Sequence, residues 1–290
     1  GLLLARLSGV CIVYTVHNVW QHEGRYPWLV GLGNRVILAL AQAVHVHDDE
    51  TVASLREQGG LARLGSRKRP NVYVIPHGNY VPAYPNDCSR VTARTRLGLD
   101  DSTFVYLFLG RVRPYKGIEE LLVAFKALDA RDMALVVAGE LHEPHYARRV
   151  RELARGDARI RLYLQFVPDD ELQVYLNGCD ICVLPYRHVT TSGAAFLAFS
   201  FGVPIVAPRK GYFVQLVGDK ERGILYDAPA WASERGAPRA SQKCGSLTDA
   251  LRQARECDVE AMSAACTRFI ARFDWDTIAQ QHAAMYRQCG

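Results

Sequence analysis

The sequence predicts an α/β protein whose parallel sheets are covered by helices on both faces. Short runs of aromatic and β-branched residues, of which Phe104–Leu109 is the clearest, alternate with segments whose apolar residues recur at helical spacing. This alternation is typical of doubly wound parallel sheets. With 290 residues, 49% of them hydrophobic, the chain is long enough for about two domains with substantial cores.

Residues 1–79 are predicted to form the first domain. Apolar residues recur at helical spacing between Leu29 and Leu40, and Asp48 stands where an N-cap residue precedes a helix. The pattern predicts helices at 2–7, 28–43 and 48–58, and strands at 10–16, 43–47 and 71–75.

Residues 80–103 are predicted to be a linker and the entry to a second domain, which spans residues 104–274. The stretch Pro76–Asp87 contains three prolines and one glycine, which interrupt regular structure. A last helix is expected over residues 275–290. Within the second domain, strands are predicted at 104–109, 133–138, 160–164, 180–184 and 203–207, and helices at 117–128, 144–155, 169–177 and 193–201.

A candidate phosphate site follows the first strand of the second domain. The sequence FVYLFLGRVRPYKG runs from Phe104 to Gly117 and places Arg111 and Lys116 between that strand and the next helix. Ligands of open α/β sheets bind beyond the carboxyl ends of the strands, where helix N-termini favour anions. Two cations alone are equally compatible with an ordinary solvated loop.

A second stretch strengthens the phosphate hypothesis. The segment Leu184–Pro208 contains a polar loop and then an apolar helix, and Thr191, Ser192 and Gly193 lie at the start of that helix. Hydroxyl groups there can simply cap the helix, and they can also, with the backbone amides, bind an oxyanion. Taken together with Arg111 and Lys116, these residues predict a clamp for a diphosphate.

These motifs resemble the GT-B glycosyltransferases, in particular the family 4 group that uses nucleotide-sugar donors. The resemblance covers nearly the whole chain and implies two Rossmann-like lobes. Residues 1–79 would then be an N-terminal lobe that lacks its opening strands, and residues 275–290 a helix crossing back to it. The motifs that carry the resemblance are TVHN (Thr15–Asn18), VIPHG (Val74–Gly78), GRVRPYKG (Gly110–Gly117), VAGE (Val137–Glu140), FVPDDEL (Phe166–Leu172) and TSGAAFLAFSFGVPIVAP (Thr191–Pro208).

The resemblance assigns expected roles to individual residues. His17 would lie near the donor sugar and the acceptor, and would be catalytic together with Arg111 and Lys116. The donor phosphates would be bound by Arg111, Lys116, Thr191, Ser192, Gly193 and Ala194. The nucleotide would be bound by Gly110, Glu140, Phe166 and Val167, and the acceptor by His22, Glu23 and Arg25.

The chain departs from the family pattern at two positions. Family 4 enzymes usually carry two glutamates eight positions apart, which contact the donor sugar and the ribose. Here Val189 and Leu197 occupy those positions, so both contacts are in question. The backbone amides at Ser192–Ala194 are independent of this change.

Net charge and cysteine content indicate which classes of partner and which cellular compartment to expect. Thirty-five basic and thirty acidic residues give a net charge of +5, which suits an anionic donor and is far from a nucleic-acid-binding composition. Eight scattered cysteines and the absence of a second metal-spaced pair beside Cys179 and Cys182 favour reduced thiols in the cytoplasm. We expect no nucleic-acid partner, no cofactor and no metal, and a cytoplasmic protein that can contact the inner face of the membrane peripherally.

The function expected from the resemblance is transfer of a hexose from a nucleotide-diphosphate sugar to a saccharide or lipid-linked saccharide. The family implies retention of anomeric configuration and a place in envelope or exopolysaccharide synthesis. Loss of both glutamates favours an alternative, a non-catalytic GT-B interaction subunit that retains nucleotide binding. A sugar-nucleotide epimerase is the third alternative.

Overall fold

The computed structural model describes residues 1–17, 27–57, 70–189, 192–218, 220–228 and 246–289. The chain divides into two compact units. Unit 1 comprises Gly1–Gly78 and Phe273–Gly290, and unit 2 comprises Asn79–Arg272. Each unit contains one parallel sheet.

Unit 1 is a three-stranded parallel sheet in the order β1-β2-β3. The strands are shorter than predicted: β1 is Val13–Thr15, β2 is Ala43–Val46 and β3 is Asn71–Val74. The helices of this unit in the described residues are α1 (Leu2–Leu7), α2 (Pro27–Leu40), α3 (Asp49–Glu57) and α12 (Trp275–Cys289).

Burial explains the register of this sheet. The central strand β2 is buried along its whole length, and Val44 packs in one cluster with Ile12 and Leu38. On the other side, Ile278 and Met285 of α12 pack against Ile75. Asp48 caps α3 as predicted, since its carboxylate accepts the Thr51 amide at 2.7 Å.

Unit 2 is a six-stranded parallel sheet in the order β6-β5-β4-β7-β8-β9. The five predicted strands are present within a residue or two of their expected ends, and a sixth strand, β9, was not predicted. The strands of this sheet are β4 (Phe104–Leu109), β5 (Met133–Ala138), β6 (Ile160–Tyr163), β7 (Ile181–Val183), β8 (Ile205–Pro208) and β9 (Gly223–Tyr226). The helices are α4 (Arg90–Leu97), α5 (Ile118–Lys126), α6 (Pro144–Ala154), α7 (Leu172–Gly178), α8 (Gly193–Ser200), α9 (Phe213–Val217), α10 (Leu247–Glu256) and α11 (Val259–Ile270).

Residues 80–103, predicted as a linker and the entry to the second domain, contain α4 and belong to unit 2. Ser89 caps this helix, and Gly98 ends it in the left-handed conformation. Arg94 of α4 is only 1% exposed and donates to the Asp180 carboxylate at 2.8 Å. The other terminal nitrogen of its guanidinium group, Nη1, donates to the carbonyl oxygens of residues 100, 101 and 103. A buried arginine therefore joins this segment to the sheet.

The strand order of unit 2 creates a switch point between β4 and β7. The chain moves outward from β4 through β5 to β6, then returns to β7 on the other side of β4. In open α/β sheets, ligands bind beyond the carboxyl ends of the strands at such a switch point, which here is formed by the loops that follow β4 and β7. The predicted phosphate residues lie at this carboxyl edge of the sheet.

Candidate functional site

The loops that follow β4 and β7 contact each other directly. The Arg187 amide donates to the Tyr115 carbonyl at 2.9 Å. Gly117 has φ of +71°, and a Cβ at this position would lie 2.0 Å from the Pro185 carbonyl oxygen. Only glycine allows this approach, so the glycine that follows Lys116 holds the two loops together.

Lys116 lies against aromatic rings in this contact. Its Nζ is 3.7 Å from the centroid of the Tyr186 ring and 5.3 Å from that of Tyr115. Burial, and then the charge of Arg113, lowers the pKa of Lys116 to about 8. Throughout the described ranges, no carboxylate pairs with this ammonium group. A cation held by ring faces and short of hydrogen-bond acceptors is suited to an anionic ligand.

Arg111 and Gly110 open the same loop. Arg111 is exposed, and Gly110 donates its amide to the Ala138 carbonyl at 3.0 Å. A Cβ at Gly139 would lie 2.0 Å from the Gly110 carbonyl oxygen, so the chains leaving β4 and β5 run in close contact. Glu140 follows directly: its carbonyl accepts the Val112 amide at 2.9 Å, and its carboxylate lies 2.9 Å from His142 Nε2.

The N-terminus of α8 lies in the loop that follows β7. Ser192 is 4% exposed and its hydroxyl accepts the Ala195 amide at 3.3 Å, so the predicted cap is present. Gly193 and Ala194 are partly exposed, and amides in the first turn of a helix have no intrahelical acceptor. Thr191, which was assigned to the same turn, lies outside the described residues.

Arg187 fixes the position of the loop after β7. Its guanidinium contacts the Glu120 carboxylate at 2.5 Å and that of Glu119 at 3.6 Å, both in the first turn of α5. Lys210 donates to the Arg187 carbonyl at 3.0 Å. Sequence reasoning missed this group of residues, because Arg187 and Glu120 are 67 positions apart and no motif joins them.

The remaining residues predicted for the nucleotide lie on the loop after β6. Phe166 is 65% exposed and Val167 is partly buried. The strand β6 is separated from β4 by β5, so this loop emerges two strands away from the Arg111 loop, at the same edge of the sheet. An exposed aromatic ring at this edge is available to stack on a base.

The two positions at which glutamates were expected hold apolar side chains in the same region. Val189 ends the described part of the loop after β7, and its carbonyl lies 3.3 Å from where a Cβ at Gly211 would stand. Leu197 is partly buried in the second turn of α8. Neither side chain can donate or accept a hydrogen bond.

In unit 1, His17 lies just beyond the carboxyl end of β1. It is exposed, and its Nδ1 is 3.5 Å from Nε2 of His47, which follows β2. His45, His77 and His282 surround this pair, with successive ring centroids 4.7 to 5.8 Å apart. The residues assigned to the acceptor, which are His22, Glu23 and Arg25, lie outside the described residues.

The described residues contain no candidate metal site and no candidate membrane span. There, no group of three or more His, Cys, Asp or Glu side chains is arranged to hold a metal ion. The described helices are also too short or too polar to cross a bilayer.

Two parallel α/β units, one of them with candidate phosphate-binding loops at its strand switch point, show that the chain has the GT-B type of fold. Residues 103–235 match the family model described as "Glycosyl transferases group 1". Over these residues, a little under half of its length, the chain is similar to this family.

Curated relatives are similar to the chain over a longer part of its length. The chain is 29% identical over 307 residues to a D-inositol 3-phosphate glycosyltransferase of Xylanimonas cellulosilytica, with 99% of this chain and 69% of the relative covered. It is 28% identical over 207 residues to a GDP-mannose:glycolipid 4-beta-D-mannosyltransferase of Xanthomonas campestris pv. campestris, with 71% and 52% covered. The chain thus spans between about half and about seventy per cent of the length of these relatives.

Solved structures share the fold. Sucrose-phosphate synthase from Thermosynechococcus elongatus has a TM-score of 0.72 at 24% identity, over 95% of this chain and 67% of the other. HepE of Anabaena in complex with UDP has a TM-score of 0.78 at 20% identity, over 99% of this chain and 75% of the other.

Proposed function

We propose that this protein transfers a hexose from a nucleotide-diphosphate sugar to a saccharide or glycolipid acceptor. The observation that carries the proposal is the contact between Lys116 and the ring of Tyr186, which lies in the loop that leads into α8. This contact is at the switch point between β4 and β7. The two curated relatives are named as a glycosyltransferase and a mannosyltransferase, and HepE has been crystallised with UDP and with UDP-glucose.

The main chemical demand of this reaction is stabilisation of the departing diphosphate. Lys116 and Arg111 would neutralise its charge from the β4 loop, while the amides of Gly193 and Ala194 would bind its oxygens from the α8 turn, with Thr191 and Ser192 beside them. Fixed cations and amides at a developing charge lower the barrier without reorganisation during the reaction. We therefore propose that transfer proceeds without a metal or another cofactor.

The nucleotide would lie along the same edge of unit 2. Gly110 permits close approach of a ligand to the backbone, and Glu140 follows the adjacent strand. The exposed ring of Phe166, with Val167, would contact the base. One similar protein is named for GDP-mannose and HepE was crystallised with UDP, so the proposal extends to uridine and guanosine donors.

Unit 1 would supply the acceptor side. His17 would handle a proton near the reacting sugar, since histidine is the usual residue for proton transfer near neutrality. We propose that His22, Glu23 and Arg25 contact the acceptor. Retention of configuration, a role in envelope or exopolysaccharide synthesis, and a cytoplasmic location with peripheral contact at the inner membrane face complete the proposal.

The apolar side chains at Val189 and Leu197 favour a second candidate, a GT-B subunit that binds nucleotide without catalysing transfer. Both candidates need the diphosphate site, but only the enzyme cleaves the donor. The deciding experiment incubates the purified protein with a panel of UDP- and GDP-sugars and measures release of the nucleoside diphosphate. Release that Arg111→Ala and Lys116→Ala each reduce supports the enzyme, while nucleotide binding without release supports the subunit.

A matched control is available for this experiment. Arg131 is an exposed arginine that precedes β5, at the opposite edge of the sheet. Arg131→Ala should retain full activity, whereas each clamp variant should lose about 2 to 4 kcal/mol of transition-state stabilisation, the range for one preorganised donor. Equal activity of clamp and control variants would contradict the assignment of the clamp.

A further inference from the structure

Two cysteines from opposite ends of the chain lie together in unit 1. Cys11 precedes β1, and Cys289 ends α12. Both residues are partly exposed. Burial, and then the neighbouring Cys11 side chain, raises the pKa of Cys289. They are 278 positions apart in sequence, so only the fold brings them into contact.

The secondary structure places both residues on facing surfaces. Side chains alternate along an extended strand, so Cys11 lies on the same side as Val13. Residues four apart share a helix face, so Cys289 lies on the same face as Met285. Val13, Met285 and Cys289 all belong to one apolar cluster, which shows that the two surfaces pack against each other.

The end of α12 is held firmly at this contact. Ile278 and Met285 are 2% and 1% exposed, and the Tyr73 hydroxyl donates to Gln288 Oε1 at 2.9 Å. Tyr73 belongs to β3, so the residue immediately before Cys289 is attached to the sheet. The thiol pair is therefore kept together by packing and a hydrogen bond that are independent of the sulfur atoms.

The other described cysteines differ from this pair. Cys179 and Cys182 are also neighbours, but they are 5% and 2% exposed in unit 2 and out of reach of a dissolved oxidant. Cys257 is partly exposed, yet no thiol among the described residues interacts with it. Cys11 and Cys289, in contrast, are close to each other and are also accessible to a dissolved oxidant.

We propose that Cys11 and Cys289 form a reversible disulfide that fastens the end of α12 to the sheet of unit 1. The oxidant is a low-molecular-weight disulfide. One protein thiolate attacks a sulfur of this disulfide, which breaks its S–S bond, forms a mixed disulfide and releases one small thiol. The second protein thiolate attacks the protein sulfur of the mixed disulfide and releases the second small thiol. Two protons leave the protein thiols and are taken up by the two released thiolates.

Trypsin gives a direct test, since cleavage after Arg6, Arg25 and Arg287 leaves the two cysteines in the separate peptides 7–25 and 288–290. The purified protein is equilibrated with mixtures of oxidised and reduced glutathione, alkylated and digested without reduction. We expect a cross-linked product of these two peptides that reduction removes. Stable glutathione adducts on both cysteines with no cross-link, or a cross-link between two copies of the chain, would overturn the proposal.

Single variants complete the test. Cys11→Ser and Cys289→Ser should each abolish the cross-link and retain one glutathione adduct, while Cys257→Ser should leave the cross-link unchanged. Oxidation should also raise the melting temperature of unit 1 by about 5 °C in the wild type and in Cys257→Ser, because the bridge restricts the unfolded chain. The same rise in Cys11→Ser would contradict the proposed bridge.

Discussion

Acid is expected to destabilise unit 1 through the histidine at the end of β2. His47 lies among other imidazoles, and its Nδ1 is 3.2 Å from the Ile75 carbonyl oxygen. Burial, followed by the charge of His45, lowers the pKa of His47 from 6.5 to about 4. The unfolded chain therefore takes up a proton at a higher pH than the folded chain does, and protonation favours unfolding.

The size and direction of the effect follow from linkage. Stability due to neutral His47 is complete above its unfolded pKa of 6.5 and is lost as the pH falls toward about 4. A shift of this size corresponds to an upper limit of roughly 3 kcal/mol at the acid end, at 1.36 kcal/mol per pKa unit. Since the side chain is partly accessible to water, we expect a loss of about 1 to 2 kcal/mol.

Urea unfolding at pH 7, 6, 5 and 4.5 measures this loss. His47→Gln removes the titration, so the variant should lose about 1 to 2 kcal/mol less than the wild type does over this range. His145, an exposed histidine of α6 in unit 2, supplies the control, and His145→Gln should behave like the wild type. Parallel stability curves for the wild type and His47→Gln would refute the reasoning.

Three further outcomes are expected. Because burial lowers the pKa of Lys116 to about 8, nucleotide affinity measured by calorimetry should fall from pH 7 to 9, and Lys116→Arg should flatten this profile; a profile unchanged in the variant would contradict it. Urea unfolding should show a loss of about 3 to 5 kcal/mol for Arg94→Ala, which leaves the Asp180 carboxylate without its buried partner, and under about 1 kcal/mol for the half-exposed Arg90→Ala; similar losses would count against the buried network. His17→Ala should lower turnover while nucleoside-diphosphate affinity stays the same, and a large loss of affinity would place His17 at the donor instead.

The sheet of unit 2 could be predicted from the sequence because its strands are buried on both faces. Continuous apolar runs such as Phe104–Leu109 and Met133–Ala138 mark such strands directly, and both have the predicted ends. The strand β1 is shorter than predicted, since an apolar run continues beyond the residues that pair. Apolar pattern predicts burial more closely than it predicts backbone pairing.

Helix α4 could not be predicted by the same means. Its sequence RVTARTRL has three arginines in eight residues, and the sequence predicts only a linker and the entry to the second domain there. The structure buries Arg94 because the carboxylate of Asp180 and several carbonyl oxygens surround its guanidinium. A charged side chain that finds its partners only in the folded state gives no sequence signal of burial.

The candidate site was only partly predictable for a related reason. Arg111, Lys116 and Ser192 follow the ends of strands. Ligands of α/β sheets bind beyond these ends, and the ends can be predicted from the sequence. The Arg187–Glu120 pair, which holds the loop after β7, depends on the packing of that loop against α5. The aromatic contact between Lys116 and Tyr186 likewise exists only once the two loops meet.

Nucleotide affinity tests the central claim, that the β4 and α8 loops of unit 2 bind a diphosphate. Calorimetric titrations with UDP and with GDP are compared for the wild type, Lys116→Ala and the exposed control Arg131→Ala. We predict that the wild type and Arg131→Ala bind at least one of the two equally well, and that Lys116→Ala binds it about 10- to 100-fold more weakly, the loss of one charged hydrogen-bond donor. Equal affinity of all three proteins, or no binding of either nucleotide by the folded wild type, would contradict the account.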